Sequence, residues 1–349
     1  MRISMLGQSG SGKTTYMCAL HEAMIENEFV GFSIVPHTNG SNDGLMAIGM
    51  LENISFCRDG QNIQFPDGTV DTTFWSFDLM YRNSKLCDLD WIDYRGGKID
   101  EIFDGEDEAK YLKEIIFASN AVIIFVDSIQ LALNDDINLC KRITGADKLT
   151  LLLKDYERTY KYSDTIVLFA LSKCDSSLIP EKYKRNNYSE LITKCCLLFK
   201  NVLDIKSRNS LWRIGIVPIS SVGIGNTSSS KQTTGNILRP YRVSCNLTNY
   251  PSPLNVAEAF LFCIKEIVNI SKQHEYNKAS RIQSQVVQEF NQATLLNAIW
   301  AAIRKEESHF ALAQKLNESK IVSENTAKRL ERILHLVEQT AFVEKVYVL

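Results

Sequence analysis

Hydrophobic positions along this chain take two forms, short uninterrupted runs and runs spaced at three and four. Residues 2–6 (RISML), 121–127 (AVIIFVD), 165–171 (TIVLFAL) and 213–219 (RIGIVPI) are apolar runs closed by polar turns. That is the form of strands buried on both faces. Residues 73–81 and 86–93 read as a hairpin turning at Arg82-Asn83-Ser84-Lys85. Helical spacing fills the gaps: 13–27, which carries Met17, Leu20, Met24 and Ile25, then 106–119, 129–160, 188–204, and 255 to about 272. Strands alternating with helices predict an α/β fold, a doubly wound and mostly parallel sheet of six strands.

Two stretches interrupt this alternation. Residues 28–72 are rich in Gly, Asn and Asp, with one helical segment near 44–54, and are longer than a compact connection needs. Residues 223–254, including TSSSKQTTGN, read as a loop insertion. Beyond residue 275 the apolar positions Val286, Val287 and Phe290, then Ile299, Trp300 and Ile303, then Leu330, Ile333, Leu334 and Val337, suggest helices. No strand signal precedes the last few residues, and no internal repeat is evident. The expected organisation is therefore an α/β domain over 1–272 and a helical C-terminal region over 273–349.

Composition narrows the classes. The 349 residues hold 39 Lys+Arg against 41 Asp+Glu, a net charge of −2. No global basic field favours nucleic acid, and the Lys182-Lys184-Arg185 cluster reads as a solvated loop. Hydrophobic residues at 45% suffice for a core. The longest apolar run, 121–126, falls far short of the roughly 20 residues that span a bilayer. Polar residues Ser4, Gln8 and Lys13 break any secretory apolar region near the start. A cytoplasmic, soluble chain is expected. Nine cysteines without a C-x-x-C pair and five dispersed histidines give no metal-ligand spacing of the zinc type.

The strongest chemical signal is Gly7-Gln8-Ser9-Gly10-Ser11-Gly12-Lys13-Thr14, which fits G-x-x-x-x-G-K-[ST] between a predicted strand and a predicted helix. Glycines let the backbone curl so that N–H groups converge, and the helix N-terminus adds partial positive charge. Lys13 then supplies a point charge for terminal phosphates, and the Thr14 hydroxyl suits Mg²⁺. Ligands of open parallel sheets sit outside the carboxyl ends of strands. Three further motifs stand there: Asp93-Tyr94-Arg95-Gly96 as D-x-x-G, Ser172-Lys173-Cys174-Asp175 in the manner of [NT]-K-x-D, and Ser220-Ser221-Val222 in the manner of S-A-x.

With these four motifs in order, the chain resembles the Ras-like, translation-factor-related (TRAFAC) P-loop GTPases over residues 1 to about 272. The strings GKTTYMCAL, FPDGT and PLNVAEAF are similar to the bacterial double-GTPase-type proteins of conflict and defence gene clusters. The resemblance implies GTP or GDP with Mg²⁺ as cofactors. It implies that Gly10, Ser11, Gly12, Lys13, Thr14 and Thr15 cradle phosphates, that Thr14 ligates Mg²⁺, and that Asp93 holds the ion through a water. Gly96 would give its N–H to the γ-phosphate and act as a hinge. Asp175 would take guanine N1 and N2, the stem of Lys173 would cover the base, and Ser221, in the nucleotide-binding loop with Ser220, would offer a backbone N–H to the guanine oxygen. A switch threonine, either Thr69 or Thr72, would complete the metal site.

Two departures from the family pattern stand out. Ser172 replaces the usual Asn or Thr, with a shorter reach to the phosphate loop. Gly97 stands where Ras-like enzymes carry the glutamine that orients water, so intrinsic hydrolysis is expected to be slow. Arg95 and Gln8 are the candidates for a substitute, against a plain surface arginine and a plain loop glutamine. The expectation is a regulatory GTPase that switches its affinity for a protein partner. A scaffold that binds without hydrolysing, and an ATPase on the same loop, remain as alternatives. The helical region is expected either to dock or to extend the core, and the exposed aromatics around Phe74 either to meet a partner or to pack.

Overall fold

Strand β1 (Arg2–Leu6) buries Ile3, Ser4, Met5 and Leu6 in the middle of the sheet. These positions come from a computed structural model that describes residues 1–26, 29–37, 57–59, 62–64, 73–93, 107–161, 163–184, 188–223, 226–231, 241–245, 252–292, 309–340 and 345–349. Helix α1 (Lys13–His21) follows the glycine-rich loop and runs into a single π-helical turn, Glu22–Glu26. Next come strand β2 (Phe32–Pro36) and the short pair β3 (Cys57–Asp59) and β4 (Asn62–Gln64). Strands β5 (Thr73–Tyr81) and β6 (Ser84–Asp93) form the expected hairpin. In β5 the period of two is plain: Trp75, Phe77 and Leu79 are buried while Phe74 and Ser76 are exposed.

The second half repeats strand and helix. It comprises α2 (Asp107–Phe117), β7 (Ala121–Asp127), α3 (Ser128–Leu133), α4 (Ile137–Thr144) and α5 (Ala146–Thr159). The single helical stretch expected over 129–160 is three helices. Asp136 caps the second by accepting from the Asn138 N–H at 2.9 Å, and Gly145, in the left-handed region, ends it. Strand β8 (Thr165–Ser172) leads to α6 (Glu181–Lys184), α7 (Ser189–Leu198) and α8 (Lys200–Arg208), and then to β9 (Trp212–Pro218). The segment read as a loop insertion contains an antiparallel hairpin, β10 (Thr227–Lys231) with β11 (Tyr241–Cys245).

The main sheet has eight strands in the order β12-β9-β8-β7-β1-β6-β5-β2. All six expected strands are present, and the expected count of six was short by two. Edge strand β2 sits inside the Gly- and Asn-rich connection and pairs antiparallel with β5. Edge strand β12 (Tyr347–Val348) is too short to leave a pattern and pairs antiparallel with β9. Of the six inner strands, the five from β9 to β6 are mutually parallel and β5 runs antiparallel to β6. Residues of β7 and β8 are buried on both faces because helices cover both, which explains their unbroken apolar runs. One face packs Val122, Ile124, Val167 and Phe169 under α3 to α8. Tyr16 of α1 packs its ring on Phe125 at 5.2 Å and stacks near Trp91, which in turn meets Phe260 at 5.6 Å.

Helix α9 (Val256–Gln292) carries Phe260 and continues well past the expected end near 272. No Gly or Pro interrupts it over 256–292, so nothing in the chain forces a stop. Two compact units result, one of residues 1–263 with 342–349 and one of residues 264–341. In the second unit α9 lies antiparallel to α10 (His309–Gln339), with Lys265 pairing with Glu338 at 3.8 Å and the Tyr276 hydroxyl near Glu331. Ile282 and Val286 are buried there, as are Ala327, Ile333, Leu334 and Val337. Expected helices near 44–54 and 299–303 lie outside the described residues. No helix among the described residues is long and apolar enough to cross a membrane.

Candidate functional site

Strand order changes direction at β1. From β1 the chain goes to edge strand β2, comes back inward through β5 to β6 beside β1, and then lays β7 against the other side of β1. A crevice at the carboxyl ends of β1 and β7 is where such sheets take ligands. The loop of residues 7–12 lies there. Gly7 adopts φ 150° against the neighbouring strand, and a Cβ there would sit 2.8 Å from the Phe125 carbonyl oxygen. Gly10 (φ 72°) and Gly12 (φ 95°) complete the curl, with Ser11 N–H donating to the Gln8 carbonyl at 3.1 Å. Gly12 is the N-cap of α1 and has no side chain to satisfy the first-turn amides, which leaves them for an anion.

Lys13 is buried, and its Nζ donates to the carbonyls of Gly7 at 2.9 Å and Gln8 at 3.3 Å. The ammonium is thereby folded into the loop that it follows. Thr14 Oγ1 donates to Asp93 Oδ2 at 3.1 Å, and Asp93, at the end of β6, is fully buried. A hydroxyl and a carboxylate oxygen side by side are hard donors and fit Mg²⁺ by their chemistry. The Ser11 hydroxyl is buried in the loop with no hydrogen-bond partner among the described residues. Gly10 is exposed and Thr15 half-buried on the first turn.

The end of β8 meets this loop directly. Ser172 Oγ donates to the Ser11 carbonyl at 2.6 Å and lies 3.3 Å from the Val126 carbonyl. The shorter side chain does reach, because β8 stands one strand beyond β7. Lys173 takes the left-handed conformation (φ 60°), and its Nζ pairs with Asp127 Oδ2 at 2.5 Å. Asp127 also caps α3 through Oδ1, accepting from the N–H of Ile129 at 3.0 Å and of Gln130 at 3.4 Å. Asp175 is buried and accepts from the Thr227 hydroxyl at 2.7 Å. Cys174 between them is buried, and desolvation pushes its thiol up to about 12, so it is no nucleophile.

At the end of β9, the Ser220 hydroxyl oxygen accepts the Gly223 N–H at 2.8 Å, and Ser220 bridges to Leu254 in both directions. Ser221 is half-buried beside it. The Cys174 N–H donates to Ile219 at 3.2 Å, which holds the β8 and β9 loops together. Of the expected site residues, Gly10 to Thr15, Asp93, Ser172, Lys173, Asp175, Ser220 and Ser221 thus lie at or just beyond the carboxyl ends of four parallel strands, β1, β6, β8 and β9. Arg95, Gly96, Gly97, Thr69 and Thr72 lie outside the described residues. Gln8 packs its amide on Gly145, where an added Cβ would lie 2.4 Å from Nε2.

Two residues that the sequence reading did not single out touch the site. Asp127 carried a readable signal, an acid between an apolar run and a helix. Thr227 carried none, standing in a string of serines and threonines.

The sheet, its switch point and the glycine-rich strand–loop–helix have the form of a P-loop fold. No protein-family model and no curated protein matches this chain. Among solved structures it is similar to a chain of the signal recognition particle receptor SRb-GTP/SRX complex from Chaetomium thermophilum. The identity is 14% and the TM-score 0.36, over 64% of this chain and 92% of that one.

Proposed function

We propose that this chain binds guanine nucleotides with Mg²⁺, hydrolyses GTP slowly, and changes its affinity for a protein partner with the nucleotide it holds. One observation carries the reading: Thr14 reaches Asp93 at 3.1 Å while Ser172 reaches Ser11 at 2.6 Å, so three distant motifs meet at one loop. Phosphates would lie on the amides of residues 10–15, with Lys13 exchanging its carbonyl partners for phosphate oxygens. Mg²⁺ would be held by Thr14 and, through a water, by Asp93. When bound, the ion supplies charge neutralisation on the β- and γ-oxygens. Asp175 would read the base edge, and the stem of Lys173, held by Asp127, would lie on the ring.

Slow turnover follows from Gly97 in the glutamine position and from Gln8 packing on Gly145 rather than standing free. The same two facts favour the second reading, a nucleotide-binding scaffold that does not hydrolyse. Titration with fluorescent guanine and adenine nucleotides, followed by phosphate release over hours, separates the readings. Guanine-selective binding with slow phosphate release supports the GTPase. Equal affinity for ATP removes the base-reading role of Asp175, and tight GTP binding without any phosphate release leaves the scaffold.

A further inference from the structure

The guanine-reading carboxylate is not alone. Asp175 stands on a turn whose backbone is fixed twice, by the Ser176 N–H donating to Lys173 at 3.1 Å and the Cys174 N–H donating to Ile219 at 3.2 Å. Its side chain keeps one soft torsion, since the final sp³–sp² rotation of an aspartate is broad. Thr227 removes that freedom by donating to Oδ2 at 2.7 Å from 52 residues away.

Thr227 is itself well placed to do so. Asn226 just before it donates its side-chain amide to Val222 at 2.7 Å, and Gly223 is tied to the Ser220 hydroxyl at 2.8 Å. Thr227 then opens β10, in register with Cys245 of β11. The hydroxyl is therefore delivered by the hairpin that interrupts the α/β alternation.

We propose that Thr227 is a positioning residue that sets the plane of the Asp175 carboxylate and thereby strengthens the preference for guanine. This rests on the reading of Asp175 given above. An ionised carboxylate offers about four lone-pair sites on two oxygens. A base edge with two adjacent N–H groups takes one site on each oxygen, and the Thr227 hydroxyl takes a further site on Oδ2. A neutral donor leaves the negative charge in place for the base, whereas a cation there would compete with it. Two parallel hydrogen bonds require the carboxylate and base to be coplanar. A single bond tolerates rotation, so a base with one N–H gains less from a fixed plane.

The test compares GDP with inosine diphosphate, whose base lacks the exocyclic amino group. Binding to the full chain is measured by calorimetry for the parent protein, Thr227→Val, Thr227→Ser and Asp175→Asn, with circular dichroism to verify the fold. Thr227→Val is expected to weaken GDP about tenfold, the usual scale for a hydrogen bond to a charged group, and inosine diphosphate much less. Thr227→Ser restores the preference. An unchanged ratio in Thr227→Val, with Asp175→Asn still weakening GDP, overturns the positioning role and leaves the base-site reading standing. Tighter GDP binding by Thr227→Val also overturns it, by making the hydroxyl a competitor of the base. If Asp175→Asn leaves GDP affinity unchanged, the base-site reading falls and takes this proposal with it.

Discussion

The Ser172 hydroxyl and the Ser11 backbone carbonyl lie 2.6 Å apart, and this contact joins the end of β8 to the loop after β1. Ser172 is nearly fully buried, so the hydroxyl has little access to water. Ser172→Ala would leave the Ser11 carbonyl short of a donor and unlink the strand end from the loop. The expected cost is about 1–3 kcal/mol of stability for a buried acceptor left unsatisfied. Nucleotide affinity is expected to fall alongside it. Urea unfolding with and without GDP checks this; equal stability and equal affinity would sink it.

Lys13 donates to two loop carbonyls, and that geometry holds the ammonium where a terminal phosphate would take it over. Lys13→Ala is expected to reduce GTP affinity by at least about a hundredfold, since a charge-assisted contact in a dry loop is lost. The loss is expected to be smaller for GMP, which lacks the terminal phosphates. Fluorescent-nucleotide titration reads both. A uniform loss for GTP and GMP would instead indicate a collapsed loop.

Gly7 and Gly12 both hold backbone conformations that side chains disfavour, yet they differ in the space around them. A Cβ at Gly7 would meet the Ser11 hydroxyl at 2.7 Å and the Phe125 carbonyl at 2.8 Å, and the latter is backbone of a central strand. At Gly12 the nearest atom is Ser172 Cβ at 3.7 Å. Gly12→Ala therefore carries the conformational strain alone, about 1–2 kcal/mol. Gly7→Ala adds a clash that the sheet cannot relieve cheaply, and its melting temperature is expected to fall further. The reverse order in thermal melts would refute this account of the loop.

Much of this architecture was legible in the chain because parallel strands covered on both faces leave unbroken apolar runs, as in AVIIFVD and TIVLFAL. The glycine-rich strand–loop–helix at residues 7–14 was legible because G-x-x-x-x-G-K-[ST] sets residue types at fixed spacing. Strand β2 was hidden by the glycines and asparagines around it, although Phe32 and Ile34 alternate with Ser33 and Val35. Strand β12 pairs only two residues and carries no period. Thr227 could not be picked from TSSSK because its role comes from a tertiary contact, not from its neighbours. Helix α9 was cut short because polar residues after 270 resemble an end, while helices stop only where a breaker or a better partner intervenes.

Cys174 gives the site a pH limit. Burial pushes its thiol from 9.0 up to about 12, with the Ser128 hydroxyl bond opposing the shift and the charge of Asp175 adding to it. The Tyr188 hydroxyl rises as well, to about 12, through burial and the nearby Cys174 and Asp175. Both groups hold their protons more tightly folded than unfolded. The folded state therefore binds more protons between the unfolded and folded values, and stability must fall as pH rises through that interval. Below pH 9.0 the Cys174 contribution is fully present, and above about 12 it is lost. Urea midpoints are expected to be flat from these groups at neutral pH and to decline above pH 9. Cys174→Ala should make that alkaline decline shallower, whatever it does to stability at neutral pH. An equal slope in the variant and parent would show that the thiol titrates freely in the folded chain, which its burial forbids.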